Sequence, residues 1–377
     1  MSKHITSDKC VGCMACEQIC PLNAISRDLS TGFIRPVVDE SACINCGKCL
    51  KVCPKERTPE QSEFLPHAYA VKHSDPDVLI KSTSGGVFSA IADSVLQKCG
   101  VVYGCVVKDK EIQHIRTECD YSAMRGSKYV QSNLNEIHKS IANDLANGRD
   151  VLFTGTPCQC ESVKKFLFVA NIKTEKLLLV DFICHGVTSP LLFNNYVSYC
   201  EKKTGKTLSN HLFRTKLNGW VSHVEENVWS DGTKDHSSYE SQLFKGVFHS
   251  LLGTNESCFE CKFATTNRPS DITIADFWGI KESRPELYDS NGVSFVMINS
   301  AKGEAAFADC QNIYKHEVSI SDTKNPHLYT PAPKPQKYDR FWLDYHKKGF
   351  KHIVKKYYRG GKLYRLLSDT YHKLRDR

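Results

Sequence analysis

A chain of 377 residues can hold two or three domains with buried cores, and its 41% hydrophobic and 24% charged residues are ordinary for a globular protein. It contains no run of 18 apolar residues, which argues against a membrane-spanning helix, and no apolar signal region precedes the first cysteines. The net charge of +8 is uneven, because Lys347–Arg377 carries eleven Lys or Arg against two acids, so the remainder is close to neutral and a nucleic-acid-binding surface is not expected.

The N-terminal segment repeats Cys-x-x-Cys-x-x-Cys-x-x-x-Cys-Pro, first with Cys10, Cys13, Cys16 and Cys20, then with Cys43, Cys46, Cys49 and Cys53. Three thiolates two residues apart close a tight loop around one 4Fe-4S cubane, and the fourth cysteine of each run crosses to the other cluster. This predicts one cluster on Cys10, Cys13, Cys16 and Cys53, and another on Cys43, Cys46, Cys49 and Cys20. Zinc also binds Cys-x-x-Cys pairs, but eight thiolates in two identical four-cysteine runs suit it poorly. Thiolates with this spacing belong in a reducing compartment, so a cytoplasmic protein is expected.

Residues 1–55 therefore form an α+β ferredoxin-like dicluster domain, and the polar stretch 56–66, with two prolines, is a linker. Beyond it, Ala68–Val71 is a short apolar run, and a helical pattern with Phe88, Ile91, Ala92 and Val95 extends to Gln97. Gly100–Val107 resembles a strand with turn glycines. The apolar runs Val151–Thr154 and Leu177–Val180 are expected to be strands buried on both faces. With helical segments at Ile137–Leu145 and Glu161–Leu167, the alternation predicts an α/β domain with a parallel or mixed sheet. Trp220–Trp229 and Asp271–Trp278 are further expected strands, and Pro326–Pro335 a surface crossing. Residues 336–377 make a helical tail. There Phe350, Ile353, Val354, Tyr357 and Tyr358 form one amphipathic stripe, and Leu363, Leu366, Leu367, Tyr371 and Leu374 form a second after Gly360-Gly361. These stripes pack on the core or, being basic, touch a membrane surface or a partner.

Ten cysteines remain. Cys158 and Cys184 follow the two apolar strands, in Thr-Gly-Thr-Pro-Cys-Gln and Asp-Phe-Ile-Cys-His-Gly, and ligands bind beyond the carboxyl ends of such strands. Cys258 and Cys261 form a Cys-x-x-Cys pair that could complete a four-thiolate site for a third 4Fe-4S cluster. Cys160 competes with Cys158 for one position, and a redox-active or zinc-binding Cys258/Cys261 pair is the alternative. Cys99, Cys105, Cys119, Cys200 and Cys310 are expected to be small core residues. Ser82-Thr-Ser-Gly-Gly-Val-Phe88 places hydroxyls and flexible backbone at a helix start, a ready anion site. Arg125-Gly-Ser-Lys-Tyr-Val-Gln-Ser132 adds two cations.

Taken in order, these two motifs, Thr-Gly-Thr-Pro-Cys-Gln, Cys-His-Gly-Val-Thr-Ser-Pro (184–190), Cys-Phe-Glu-Cys-Lys-Phe-Ala and Asp-Ile-Thr-Ile-Ala-Asp-Phe-Trp-Gly resemble the coenzyme F420 hydrogenase/dehydrogenase beta-subunit family. The resemblance runs from about Ala68 to beyond Asn299. It implies a mixed-sheet FAD-binding region at 67–150, with flavin contacts among Ser82, Ser84, Gly85, Gly86, Arg125, Ser127, Lys128 and Tyr129. A C-terminal part at 151–335 would hold the inner cluster on Cys158, Cys184, Cys258 and Cys261. His185 would donate a proton near the flavin, or else simply order its loop. The implied activity is flavin-dependent iron–sulfur oxidoreduction of a small substrate or deazaflavin coenzyme. Many bacterial members accompany surface-polysaccharide genes. The alternative is an electron-transfer subunit that feeds a separate redox partner protein.

Overall fold

The computed structural model describes residues 9–56 and 63–358. At its N-terminal end, β1 (Ile25–Asp28) and β2 (Arg35–Val38) pair antiparallel, with Ile25 opposite Val38. Two short helices, Ala15–Gln18 and Lys48–Lys51, carry Cys16 and Cys49. Each is entered through a left-handed residue, Met14 and Gly47, which is how the preceding cysteine loop turns back on itself. This is the two-fold repeat expected from the cysteine spacing.

The larger body is built on one eight-stranded sheet. Its first five strands are β3 (His67–His73), β4 (Val101–Lys108), β5 (Glu111–Thr117), β6 (Val151–Gly155) and β7 (Leu177–Phe182). A separate three-stranded sheet follows, with β8 (Leu208–Thr215), β9 (Val224–Trp229) and β10 (Lys234–Asp235). The chain then returns with β11 (Ile272–Asp276), β12 (Ser294–Ile298) and β13 (Ile313–Val318). The large sheet runs β13-β3-β12-β11-β7-β6-β4-β5. β4, β6, β7 and β11 are parallel neighbours, and antiparallel strands flank them on both sides. The expected parts 67–150 and 151–335 thus share one sheet.

Alternation along the parallel strands explains their continuous apolar runs. Leu152, Leu178 and Val180 face a core with the helices Val87–Gln97 and Ala301–Ala308. Val151, Phe153, Leu177 and Leu179 face the helices Ile137–Ala146 and Pro157–Val169. The dicluster unit packs on this second side, where Cys13, Ala15, Cys16 and Val52 enter the same core.

A further core joins the helix Pro190–Thr204 and the small sheet to the C-terminal helices Tyr338–Lys348 and Phe350–Ile353. Phe350, Ile353 and Val354 are buried there, and Tyr357 and Tyr358 are packed against them. The first amphipathic stripe of the tail therefore covers the core; the second lies outside the described residues. Cys200 and Cys310 are buried as expected, whereas Cys99 and Cys119 are exposed, each in a turn or bend that leaves its side chain outside the helix–sheet packing. Among the described residues no helix is long and apolar enough to cross a membrane.

Candidate functional site

The eight N-terminal cysteines fall into two groups. Cys20, Cys43, Cys46 and Cys49 line one cavity of about 390 Å³ with Leu22, Ile44 and Leu50. Cys10, Cys13, Cys16 and Cys53 lie close enough to interact electrostatically: Cys10 and Cys53 act on both Cys13 and Cys16. These are the crossed sets that the spacing predicts. Burial, with the neighbouring thiols adding to it, pushes Cys13 and Cys16 well up, so either would be a thiolate only with a cation beside it.

Further into the body, Cys158, Cys184, Cys258 and Cys261 all line one cavity of about 130 Å³. β6 and β7 are adjacent, so the residues beyond their carboxyl ends emerge side by side. Cys158 sits in the first turn of the helix Pro157–Val169, which opens with Thr156 and a reciprocal cap from Gln159. Cys184 leaves β7, and the loop after it lies between two other segments. Thr188 N–H donates to Tyr129 O, Gln131 N–H to Thr188 O, and Asn255 N–H to Val187 O. Gly186 has φ +112 in this loop, and a Cβ there would lie 2.8 Å from Thr254 Cγ2 and 3.3 Å from Cys258 Cβ. Only glycine at 186 lets the Cys184 loop lie this close to Thr254 and Cys258. Asn255 caps the short helix Glu256–Glu260 and so sets Cys258.

Cys160, the rival position, points elsewhere. It is fully buried in the helix–sheet core, with its Sγ 3.6 Å from Val180 O. Burial pushes Cys158 and Cys258 up to about 12, with other thiols of the group adding to the effect. Among the described residues several cysteines accept a hydrogen bond from the backbone N–H two residues on, including Gly12 N to Cys10 Sγ (3.3 Å), Asn45 N to Cys43 (3.4 Å), Gly186 N to Cys184 (3.4 Å) and Phe263 N to Cys261 (3.4 Å). The inner group thus repeats the local geometry of the N-terminal runs. Among the described residues no group of three or more His, Cys, Asp or Glu is drawn together tightly enough to hold a single metal ion.

The dicluster unit abuts this inner cavity. Val11 and Pro54, which flank Cys10 and Cys53, form part of its wall. Asn255 Nδ2 donates to Cys10 O (3.1 Å), and Lys165 Nζ to Cys53 O (3.0 Å). Gln131 accepts from Ile34 N–H (2.7 Å) and donates to Val11 O (3.1 Å). Gln18 and His138 also join the two units, at 2.8 Å. A sequence-remote pair, Arg268 and Asp181, stands behind the cysteines. Arg268 pairs with Asp181 on β7 (3.0 Å) and donates to Phe263 O (2.7 Å) and Phe182 O (3.1 Å), tying the Cys261 loop to the strand that leads to Cys184.

The two anion-type motifs lie together. Ser127 N–H donates to Thr83 Oγ1 (2.9 Å), and Gly86, at φ +83, opens the helix Val87–Gln97. Several side chains are already engaged: Ser82 Oγ donates to Val78 O (2.7 Å) and Ser84 Oγ to Val293 O (2.9 Å). Gly85 is held against Val71 O and Ser294 N, where a Cβ would not fit. Lys128 Nζ caps the carbonyls of Ala123, Met124, Arg125 and Gly126, and burial lowers it to about 8. Arg125 Nε donates to Ser89 Oγ in the first turn of the helix (3.0 Å). A guanidinium at the positive end of a helix is unfavourable unless an anion sits beside it. Tyr129 stacks on Phe248 at 4.1 Å.

Between these loops and the inner cysteines is a group of which Asp276 and Trp278 stand in the motif at 271–279, while its other members belong to no quoted motif. Asp276, at the carboxyl end of β11, accepts from Arg214 Nη1 (2.6 Å) and Trp220 Nε1 (2.7 Å). Trp220 stacks on Trp278 at 5.4 Å, and Lys216 donates to Ser84 O (2.7 Å). His185 lies on the wall of the inner cavity with its ring 4.4 Å from His327; burial, then His327, lowers it to about 4. The stretch expected to be a surface crossing contributes Pro331 and Ala332 to the same wall, and Ala332 is buried. Arg214 and Lys216 come from β8 and the turn after it, where only tertiary structure could reveal them.

Fold and cysteine geometry together define an iron–sulfur electron-transfer protein. Residues 148–323 match the model for the C terminus of the beta subunit of coenzyme F420 hydrogenase/dehydrogenase. Residues 9–56 match a 4Fe-4S dicluster domain, and a second such model spans residues 35–108. Residues 148–323 are thus similar to that beta-subunit family, with a 4Fe-4S dicluster domain in front, which supports an iron–sulfur electron-transfer oxidoreductase related to it. The matched segment includes all four inner cysteines and begins after both anion-type motifs. No curated protein matches the chain. Among solved structures it is similar to a chain of the F420-reducing NiFe hydrogenase complex from Methanosarcina barkeri, at 16% identity and TM-score 0.45, covering 80% of this chain and 96% of that one.

Proposed function

We propose that the chain is a flavin-dependent iron–sulfur oxidoreductase with three 4Fe-4S clusters in series and FAD beyond the innermost. The convergence of Cys158, Cys184, Cys258 and Cys261 on one cavity walled by Val11 and Pro54 carries this reading. When bound, the clusters supply one-electron transfer, and the flavin couples single electrons to two-electron chemistry on a small substrate or deazaflavin coenzyme.

The chain's own residues hold and orient. Backbone N–H groups donate to Cys10, Cys43, Cys184 and Cys261, and such bonds favour the thiolate form. Thr83, Ser127 and the Gly86 turn hold the two anion-type loops together, and Arg125 waits over the helix start for a phosphate. Lys128 acts by fixing the shape of its loop, because its donors are spent on four carbonyls. Arg214, Asp276 and the stacked Trp220/Trp278 pair form a hydrogen-bonded group beside Tyr129. His185, kept neutral by burial, can donate a hydrogen bond at the edge of the inner cavity. The Cys258→Ser protein is expected to lose about a third of its iron while keeping the dicluster absorbance. Unchanged iron content in anaerobically purified protein contradicts the inner site.

A further inference from the structure

We propose that the face around Cys43–Lys51 is the docking surface for an acidic one-electron carrier protein, the place where electrons enter the chain. This rests on the cluster assignment above and adds the identity of the partner's face. Of the eight N-terminal cysteines, Cys46 alone is exposed, whereas Cys10, Cys13 and Cys16 are buried. Val11 and Pro54, the neighbours of Cys10 and Cys53, wall the inner cavity, so the Cys20/Cys43/Cys46/Cys49 group is the outward end of the series.

The surroundings of that end are those of a contact surface. Ile44 is 63% exposed and Leu22 51%, and both line the cavity that holds the four outer cysteines. Large exposed aliphatic side chains beside a redox centre give a small apolar contact of the kind transient redox partners use. From Ser41 to Lys55 the sequence has three lysines and no acid, and the exposed Asp39 and Glu40 bound this basic stretch on its N-terminal side. Lys48 and Lys51 are exposed and make no ion pair among the described residues. A basic rim around an apolar centre fits an acidic partner and speeds its approach at low salt. The carrier's reduced centre would give up one electron, which a cluster held by Cys20, Cys43, Cys46 and Cys49 would accept; no bond forms or breaks and no proton moves.

The test uses the full-length protein, purified anaerobically, and a small acidic ferredoxin as the probe. Binding is followed by calorimetry across a salt series, and cluster bleaching by stopped-flow absorbance. Lys48→Glu/Lys51→Glu is expected to slow bleaching by reduced ferredoxin roughly tenfold at low ionic strength, with the gap closing at high salt. Ile44→Ser should weaken binding at every salt concentration, and the lysine double variant should be bleached by dithionite as fast as wild type. Equal rates and affinities, with the dithionite reaction intact, overturn the docking face and leave the cluster relay standing. A dimer in sedimentation that Ile44→Ser dissociates would give the face to a second copy and also overturn it. A wild type that dithionite does not bleach overturns the relay together with the docking face.

Discussion

At the scale of single residues, the inner site depends on two positions that carry no chemistry of their own. A Cβ at Gly186 would meet Thr254 at 2.8 Å and press on Cys258, at a φ of +112 that other residues rarely adopt. Gly186→Ala should therefore separate Cys184 from Cys258 and release about a third of the iron, read by colorimetric iron assay. Arg268 and Asp181 are both fully buried, and Arg268→Met leaves Asp181 without its cation. Breaking a buried pair from one side costs about 3–5 kcal/mol, so the melting temperature should drop by several degrees or more, and an unchanged melting curve would contradict this role. Neither residue was legible as part of the site. Gly186 stands in a recognisable motif, but its reason is a contact with a segment some seventy residues on. Arg268 is one arginine in a polar loop, and only the fold brings it to β7. The cysteines, by contrast, were legible because thiolate spacing is itself a geometric statement.

At the scale of elements, the packing makes a prediction about pH. His114 on β5 is buried with its ring stacked on Phe153, and its Nε2 lies 3.0 Å from Thr154 O. Burial lowers this imidazole from its ordinary value to about 4. The unfolded chain takes up the proton near pH 6.5 and the folded chain only near 4. Stability is thus fully present above pH 6.5 and falls across the window from 6.5 to 4, by up to ~3 kcal/mol from this group. Melting temperatures between pH 7 and pH 4.5 should decline less steeply in His114→Gln. An identical slope would remove His114 as a source of the dependence. The parallel strands β6 and β7 and the helices beside them were legible from apolar runs and 3.6-residue periodicity. The insertion of β12 and β3 into the same sheet was not, because antiparallel pairing between residues 67–73 and 294–298 leaves no local trace. Trp220 and Trp278 fall just outside the strands expected to contain them, since both are held in turns by their stacking and by Asp276.

At the scale of the whole molecule, the proposed relay rests on the order of the cysteine groups from surface to interior. The outer group opens to solvent at Cys46, the buried group follows, and the inner group sits beyond Val11 and Pro54 against the ends of β6 and β7. Gln131 couples these layers. Its side chain bonds the dicluster unit at Ile34 and Val11, while its backbone bonds the Cys184 loop at Thr188. It belongs to the same motif as Arg125 and Lys128, so the motif serves to join the units as well as to shape the anion-type loop. The measurement that tests this account most directly is iron and flavin content per chain after anaerobic purification, with the flavin identified by mass spectrometry. Three clusters and one flavin predict about twelve irons and one FAD. About eight irons without flavin would contradict the inner cluster and the flavin site together.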